Sequence, residues 1–196
     1  MHIETERKFL VKDLSFKSLA VKAYRIKQGY IAHDGGNTVR VRVRDQEAFL
    51  TIKGPSADGM SRQEWELRIS PEDAQALLSL CRGGFIDKTR YLVPEAGIAP
   101  ETCGRPCPHE WEGPADAVGG RDDAKRRVSG AMPASGRYFE VDEFYGDNEG
   151  LVMAELELSD PDEPYERPAW LGEEVTGDRR YYNSHLLLNP YKHWGR

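Results

Sequence analysis

Charged residues of one sign, spaced two apart, recur along this chain. In Ile3-Glu4-Thr5-Glu6-Arg7-Lys8-Phe9, an extended backbone sets Glu4, Glu6 and Lys8 roughly 6.5–7 Å apart on one face. Adjacent carboxylates repel unless a cation lies between them, and a hard divalent metal is the usual solution. The same spacing returns in Glu64/Glu66, Glu140/Asp142 and Glu155/Glu157, and in the cationic row Arg40/Arg42/Arg44. Three arginines on one face repel each other unless an anion is held there. Arginine and lysine rows seek phosphate oxygens, arginine by bidentate contact. Carboxylate pairs hold Mg²⁺ or Mn²⁺, which bridges to phosphates instead of sitting in a cage made wholly of protein. Together the rows call for a metal-bound, highly anionic phosphate compound, and a linear chain such as triphosphate suits a narrow tunnel.

The elements that must position these residues read as strands. Thr38 to Asp45 alternates valine and arginine without a break. Glu47 to Lys53 returns as its hairpin partner before Gly54-Pro55, and Ser61 to Ile69 carries Arg62, Glu64, Glu66 and Arg68 on one face. Tyr24–Ala32, Ile86–Val93, Arg137–Tyr145 and Leu151–Leu158 are the other strands after the first. Ser70 as N-cap, Pro71 at the first helical position and the acids Glu72 and Asp73 start a helix. Its apolar face is Ala74, Leu77, Leu78 and Cys81, and Gly83-Gly84 is the expected stop. A helical turn is expected within 13–23 and a short helix at Asn183–Leu188. Opposite each charged row lies an apolar one, and the helices have faces able to cover it. The fold class is therefore mainly β (α+β): an eight-stranded antiparallel β-barrel, polar inside, with a few helices packed outside.

At 196 residues the chain reads as one domain spanning 1–196. From about 94 to 136 the composition shifts to Gly, Pro, Ala and unpatterned charge, an irregular insertion. There the run Lys125-Arg126-Arg127 reads as a solvated patch, and Cys103, Cys107 and His109 lack a fourth ligand at zinc-site spacing. A net charge of −6 argues against nucleic acid as a partner. No apolar run reaches membrane-spanning length, charged strand residues follow the N-terminus at once, and three cysteines make no even framework; the expected compartment is the cytoplasm.

The ordered series Glu4-x-Glu6-x-Lys8, Gln28-Gly29-Tyr30, Arg40-x-Arg42-x-Arg44, Lys53-Gly54, Glu64-x-Glu66, Lys88-Thr89-Arg90-Tyr91, Glu140-x-Asp142, Glu155-x-Glu157 and Glu174-Val175-Thr176 resembles the CYTH domain, the triphosphate tunnel metalloenzymes. The resemblance implies an eight-stranded tunnel that acts on triphosphate compounds with Mg²⁺ or Mn²⁺, most like the inorganic triphosphatases. It implies metal ligands among Glu4, Glu6, Glu140, Asp142, Glu155 and Glu157, and phosphate contacts from Lys8, Arg40, Arg42, Arg44, Lys53, Lys88 and Arg90. A basic residue near the C-terminus would be Arg179 or Arg180. Glu64 would position or deprotonate the attacking water; Tyr30 is the rival base, if Lys8 lies close enough to lower its pKa. Adenylate cyclase, thiamine triphosphatase and a non-catalytic polyphosphate or nucleotide binder are the alternatives, and a homodimer is left open. Arg62 and Arg68 read as partners of neighbouring acids or as residues near a tunnel mouth, and are left out of the site. Glu47, Glu143, His33 and His193 read as solvated, and Trp65, Phe139 and Trp170 as outer-shell packing.

Overall fold

A computed structural model describes residues 2–34, 36–56, 61–81, 83–95 and 137–195. The cysteine–histidine cluster and the basic run of the proposed insertion lie outside the described residues.

Among the described residues nine strands form one antiparallel sheet: β1 (His2–Val11), β2 (Lys22–Asp34), β3 (Asn37–Arg44), β4 (Glu47–Lys53), β5 (Ser61–Ile69), β6 (Ile86–Pro94), β7 (Tyr138–Phe144), β8 (Val152–Leu158) and β9 (Leu171–Glu174). Their order is β5-β4-β3-β2-β6-β7-β8-β1-β9, and a further β5–β1 pairing closes the first eight into a barrel. Strand β1 pairs with β8 along one edge and with β5 and then β9 along the other, so it is the seam of the closure. Closure leaves the barrel strands no long free edge to recruit another chain.

The period-2 pattern then separates two environments. Outward-facing Phe9, Tyr91, Val93, Phe139, Val141, Ala154 and Leu156 pack with Phe16, from the 3-10 turn Leu14–Ser18, and with Trp170. A second outer cluster, Val41 and Ala48 with Val43 and Leu50 at its edge, lies under α1 (Pro71–Leu78) through Ala74 and Leu78. Ser70 caps that helix by accepting from the Asp73 amide at 3.0 Å. The helix stops at Leu78, short of the expected glycines; Gly83 and Gly84 take φ of 89° and 92° in the loop beyond.

Inward-facing positions are charged through the middle of the barrel and apolar at one end. Leu10, Ile86, Phe144 and Met153 continue the faces of Lys8, Lys88, Asp142 and Glu155, and they pack on Leu186 of α2 (Asn183–Leu188) and on Tyr181. So α2 plugs one end of the barrel instead of lying outside it. The barrel itself has the eight strands expected, and one further expectation is corrected. The tail adds a ninth strand to the sheet, while Trp65, expected as outer packing, is 63% exposed: among the described residues no helix covers the outer face of β5, where Leu67 is open too. Phe139 and Trp170 are buried as outer packing. Among the described residues no helix is long and apolar enough to cross a membrane.

Candidate active site

Antiparallel register converts the charged rows into facing pairs. Glu6 lies opposite Glu157 and Lys8 opposite Glu155 across β1–β8, and Glu155 opposite Glu140 across β8–β7. Arg90 faces Asp142 across β6–β7; Lys53 faces Glu64 and Thr51 faces Glu66 across β4–β5. Most of these side chains, Asp142 and Thr51 excepted, enclose a cavity of about 350 Å³, lined by the cations Lys8, Arg40, Arg42, Lys53, Arg62 and Arg90 and by the acids Glu6, Glu64, Glu66, Glu140, Glu155 and Glu157. Tyr30, Thr38, Tyr182, Asn183 and Ser184 complete the lining. Because the two signs balance, the cavity has little net attraction for a lone anion or a lone cation. A guest carrying both, such as a metal–polyphosphate pair, can exchange partners with both sets.

One side of the wall is an ion-pair relay. Arg42 Nη2 donates to Glu66 Oε2 at 2.7 Å, and the Thr51 hydroxyl donates to the same oxygen at 2.9 Å while accepting from Arg40 Nη2 at 3.2 Å. Burial, with Arg40 alongside, pulls the Arg42 guanidinium down to about 10. Its Nε, like those of Arg40 and Arg44, is buried with no acceptor among the described residues, so the arginine row keeps donor capacity that protein groups leave unmet. Lys53 Nζ lies 2.8 Å from Glu64 Oε2, which holds the candidate base against a cation.

The other side is built on Arg90. Its Nε reaches Asp142 Oδ1 at 2.7 Å, and its Nη2 reaches Asp142 Oδ2 at 2.6 Å and Glu155 Oε2 at 2.7 Å; Nη1 pairs with Glu140. Lys8 Nζ is bound by Glu155 and lies 3.0 Å from Glu6 Oε1. Burial alone would depress the Lys8 ammonium, but Glu155 and Glu6 outweigh it and hold its pKa above the ordinary lysine value. Glu155 is also buried; against that penalty Lys8 and Arg90 hold its carboxyl well below the usual range.

The structure brings most of the anticipated residues together, but not all. Asp142 is fully buried beneath the cavity, its oxygens taken by Arg90 and by Lys88 Nζ at 2.5 Å, so it braces cations and does not line the site. Arg90 and Lys88 overcome the cost of burial and keep its pKa below that of an ordinary aspartate. Lys88 is likewise sealed in. Burial brings its ammonium down to about 8 despite Asp142, and Arg90 beside it adds to that fall. Arg44 leaves the row to pair with Glu47 at 2.7 Å between the rings of Tyr24 and Phe49. Arg179 is exposed and off the lining, and Arg180 pairs with Asp178. Tyr182, Asn183 and Ser184 come from the tail instead. Glu4 sits opposite Arg62 in the β1–β5 register.

Tyr30 is in place, yet burial raises its phenol above the ordinary 10, and the opposing fields of Arg40, Arg62 and Lys8 do not reverse this. Lys8 does lower it, as expected, but burial outweighs that effect and the net shift is upward. Among the described residues no three carboxylates, histidines or cysteines converge into a ready-made metal cage. The donors in the cavity are nevertheless all oxygen, which fits a hard divalent ion held by one or two carboxylates with phosphates completing its shell.

Comparison with known proteins agrees with this architecture. The CYTH domain model matches residues 2–102. An inorganic triphosphatase of Acetivibrio thermocellus is 38% identical over 192 residues, 97% of each chain. One from Nitrosomonas europaea is 31% identical over 190 residues, 95% of this chain and 97% of its own. A crystal structure of an inorganic triphosphatase superposes with a TM-score of 0.54 at 28% identity, covering 94% of this chain and 97% of the other. A closed eight-stranded barrel with charged rows inside, matched along nearly its whole length by these relatives, places the chain in the CYTH domain family.

Proposed function

We propose that this protein hydrolyses inorganic triphosphate to pyrophosphate and phosphate inside the barrel, using a divalent metal, Mg²⁺ or Mn²⁺. The observation that carries the reading is the balanced cavity of cations and carboxylates, plugged at one end by α2, which has the chemistry for a metal-bound phosphate chain. The relatives named inorganic triphosphatases support the same substrate.

In this reading Lys8, Arg40, Arg42, Lys53 and Arg90 bind phosphate oxygens, and Glu6, Glu155 and Glu157, with Glu4 and Glu140, are the acids that would hold metal. A bound divalent ion would neutralise charge on the phosphate chain and on the leaving group. Glu64, held by Lys53, orients the attacking water and accepts its proton. The buried layer of Lys88, Asp142 and the inner part of Arg90 keeps the Arg90 fork aimed upward, so that substrate binding needs little reorganisation. Such positioning and charge neutralisation dominate phosphoryl transfer. The whole chain acts as one domain with the insertion at about 94–136 and works in the cytoplasm. Among the described residues, Tyr30 and Tyr182 are the aromatic members of the cavity lining, and both are phenols set among charged groups.

Product analysis tests the proposal. With inorganic triphosphate, ATP and thiamine triphosphate offered separately with Mg²⁺ or Mn²⁺, phosphate should come fastest from the inorganic compound. Pyrophosphate with cyclic AMP from ATP would make the protein a cyclase instead. Binding of all three without turnover would make it a binding module.

A further inference from the structure

We infer that Arg62 is a further substrate-positioning residue, which bridges the Glu6 carboxylate to the phosphate chain and so couples metal binding to triphosphate binding. This rests on the triphosphatase reading above.

On β5, Arg62 and Arg68 share the face of Glu64 and Glu66 and look equivalent in the sequence. Their surroundings differ. The Arg68 side chain is 70% exposed and lies 3.3 Å from Glu47. The Arg62 side chain is only 21% exposed and lines the cavity. Its Nη2 donates to Glu6 Oε1 at 2.8 Å, the same oxygen that Lys8 approaches at 3.0 Å. The contact crosses the seam where β1 and β5 close the barrel, which is held by four residue pairs from His2↔Glu64 to Thr5↔Ser61. Its charge is also felt by Lys8 and Tyr30.

Two consequences follow from that position. A divalent ion drawn to Glu6 competes with two cations for the same carboxylate, so Arg62 opposes metal binding on its own. When a phosphate chain accompanies the metal, the guanidinium that loses its hold on Glu6 faces a better acceptor, since phosphate oxygens suit its fork. Each guest thereby lowers the cost of the other, and by linkage the effect is reciprocal.

Calorimetry separates these effects without turnover, using Mn²⁺ alone and inorganic triphosphate alone in chelator. Wild type, Arg62→Met, Arg62→Lys and Arg68→Met would be compared, with steady-state kinetics alongside. Arg62→Met should bind Mn²⁺ severalfold more tightly and triphosphate about tenfold more weakly. In turnover it should raise KM more than it lowers kcat. Arg62→Lys should recover part of both changes, and Arg68→Met should match wild type. If Arg62→Met binds both ions as wild type does, the bridging role is wrong. If it weakens both equally and Arg62→Lys recovers nothing, Arg62 serves only the barrel seam. Wild-type protein that takes up neither ion even when Mn²⁺ and triphosphate are offered together would instead overturn the triphosphatase reading itself.

Discussion

Replacing Asp142 by asparagine removes one charge and leaves the shape nearly unchanged, at a site that the sequence suggests for metal and the structure gives to ion pairing. Asp142 accepts from Arg90 at 2.7 and 2.6 Å and from Lys88 at 2.5 Å, with no exposed surface. Removing one partner from a buried ion pair costs about 3–5 kcal/mol, because the remaining charge is left uncompensated. Lys88 bears only part of that cost. Its ammonium already titrates at about 8, so at pH 7 it can shed its proton once Asp142 is neutral. That caps its share at about one pKa unit, or ~1.4 kcal/mol. Arg90 cannot deprotonate, but Glu140 and Glu155 still contact it, which places the total near the low end, about 3 kcal/mol. With a urea slope of about 2 kcal/mol/M, the unfolding midpoint should fall by about 1.5 M.

The pH dependence has a fixed sign. A lysine whose pKa is lowered by folding binds fewer protons in the native state between about 8 and 10.5. Its penalty is therefore complete below pH 8 and is relieved as pH rises through that window. At pH 9 Lys88 is mostly neutral in both proteins, so the gap between wild type and Asp142→Asn should narrow by about 1 kcal/mol. Urea unfolding in chelator at pH 7 and pH 9 measures both quantities. A midpoint within about 0.3 M of wild type, together with lost metal binding, would refute the bracing role and return Asp142 to the metal ligands.

Three further substitutions examine other parts of the account. Glu6→Gln should lower kcat at saturating metal at least about 100-fold, since a transition-state charge contact of this kind is worth several kcal/mol; wild-type rates would remove Glu6 from the metal site. Tyr30→Phe should keep kcat within about threefold and leave the pH–rate profile unchanged up to about pH 9, because burial holds the phenol protonated there. A large loss accompanied by disappearance of a basic limb would make Tyr30 the base after all. Gly172→Ala should destabilise by about 1–3 kcal/mol, as its Cβ would sit 2.7 Å from the Leu10 carbonyl oxygen, a backbone atom of β1 that cannot yield easily; thermal unfolding at unchanged Tm would contradict this.

Alternation makes the barrel legible in the sequence. A strand such as β3 can bury its valines only on one face, so the sign of the other face and the closure of the sheet followed together. What period two cannot report is depth along the barrel. Asp142, Lys88 and Arg90 share faces with cavity residues, yet only Arg90 reaches the lining: Lys88 lies nearer the plugged end, and Asp142, level with Arg90 in the register, is a shorter side chain with both oxygens taken. Arg44 belongs to the arginine row by spacing, but Tyr24 and Phe49 draw its guanidinium aside. The four residues of β9 were too few to show a period, and Tyr182, Asn183 and Ser184 enter from the end of the barrel, where no strand pattern announces them. Arg62 was hidden by its resemblance to Arg68. The exposure of Trp65 depended on which strands α1 covers, β2 to β4 and not β5, and a capping signal fixes only where that helix starts.

The most direct test of the central claim is ³¹P NMR of inorganic triphosphate incubated with the protein and Mg²⁺ or Mn²⁺, followed by addition of excess chelator. The triphosphate resonances should be replaced by pyrophosphate and phosphate in equal molar amounts, and conversion should stop when the metal is withdrawn. Triphosphate that stays intact with either metal, or conversion that continues unchanged in chelator, would contradict the proposed metal-dependent triphosphatase.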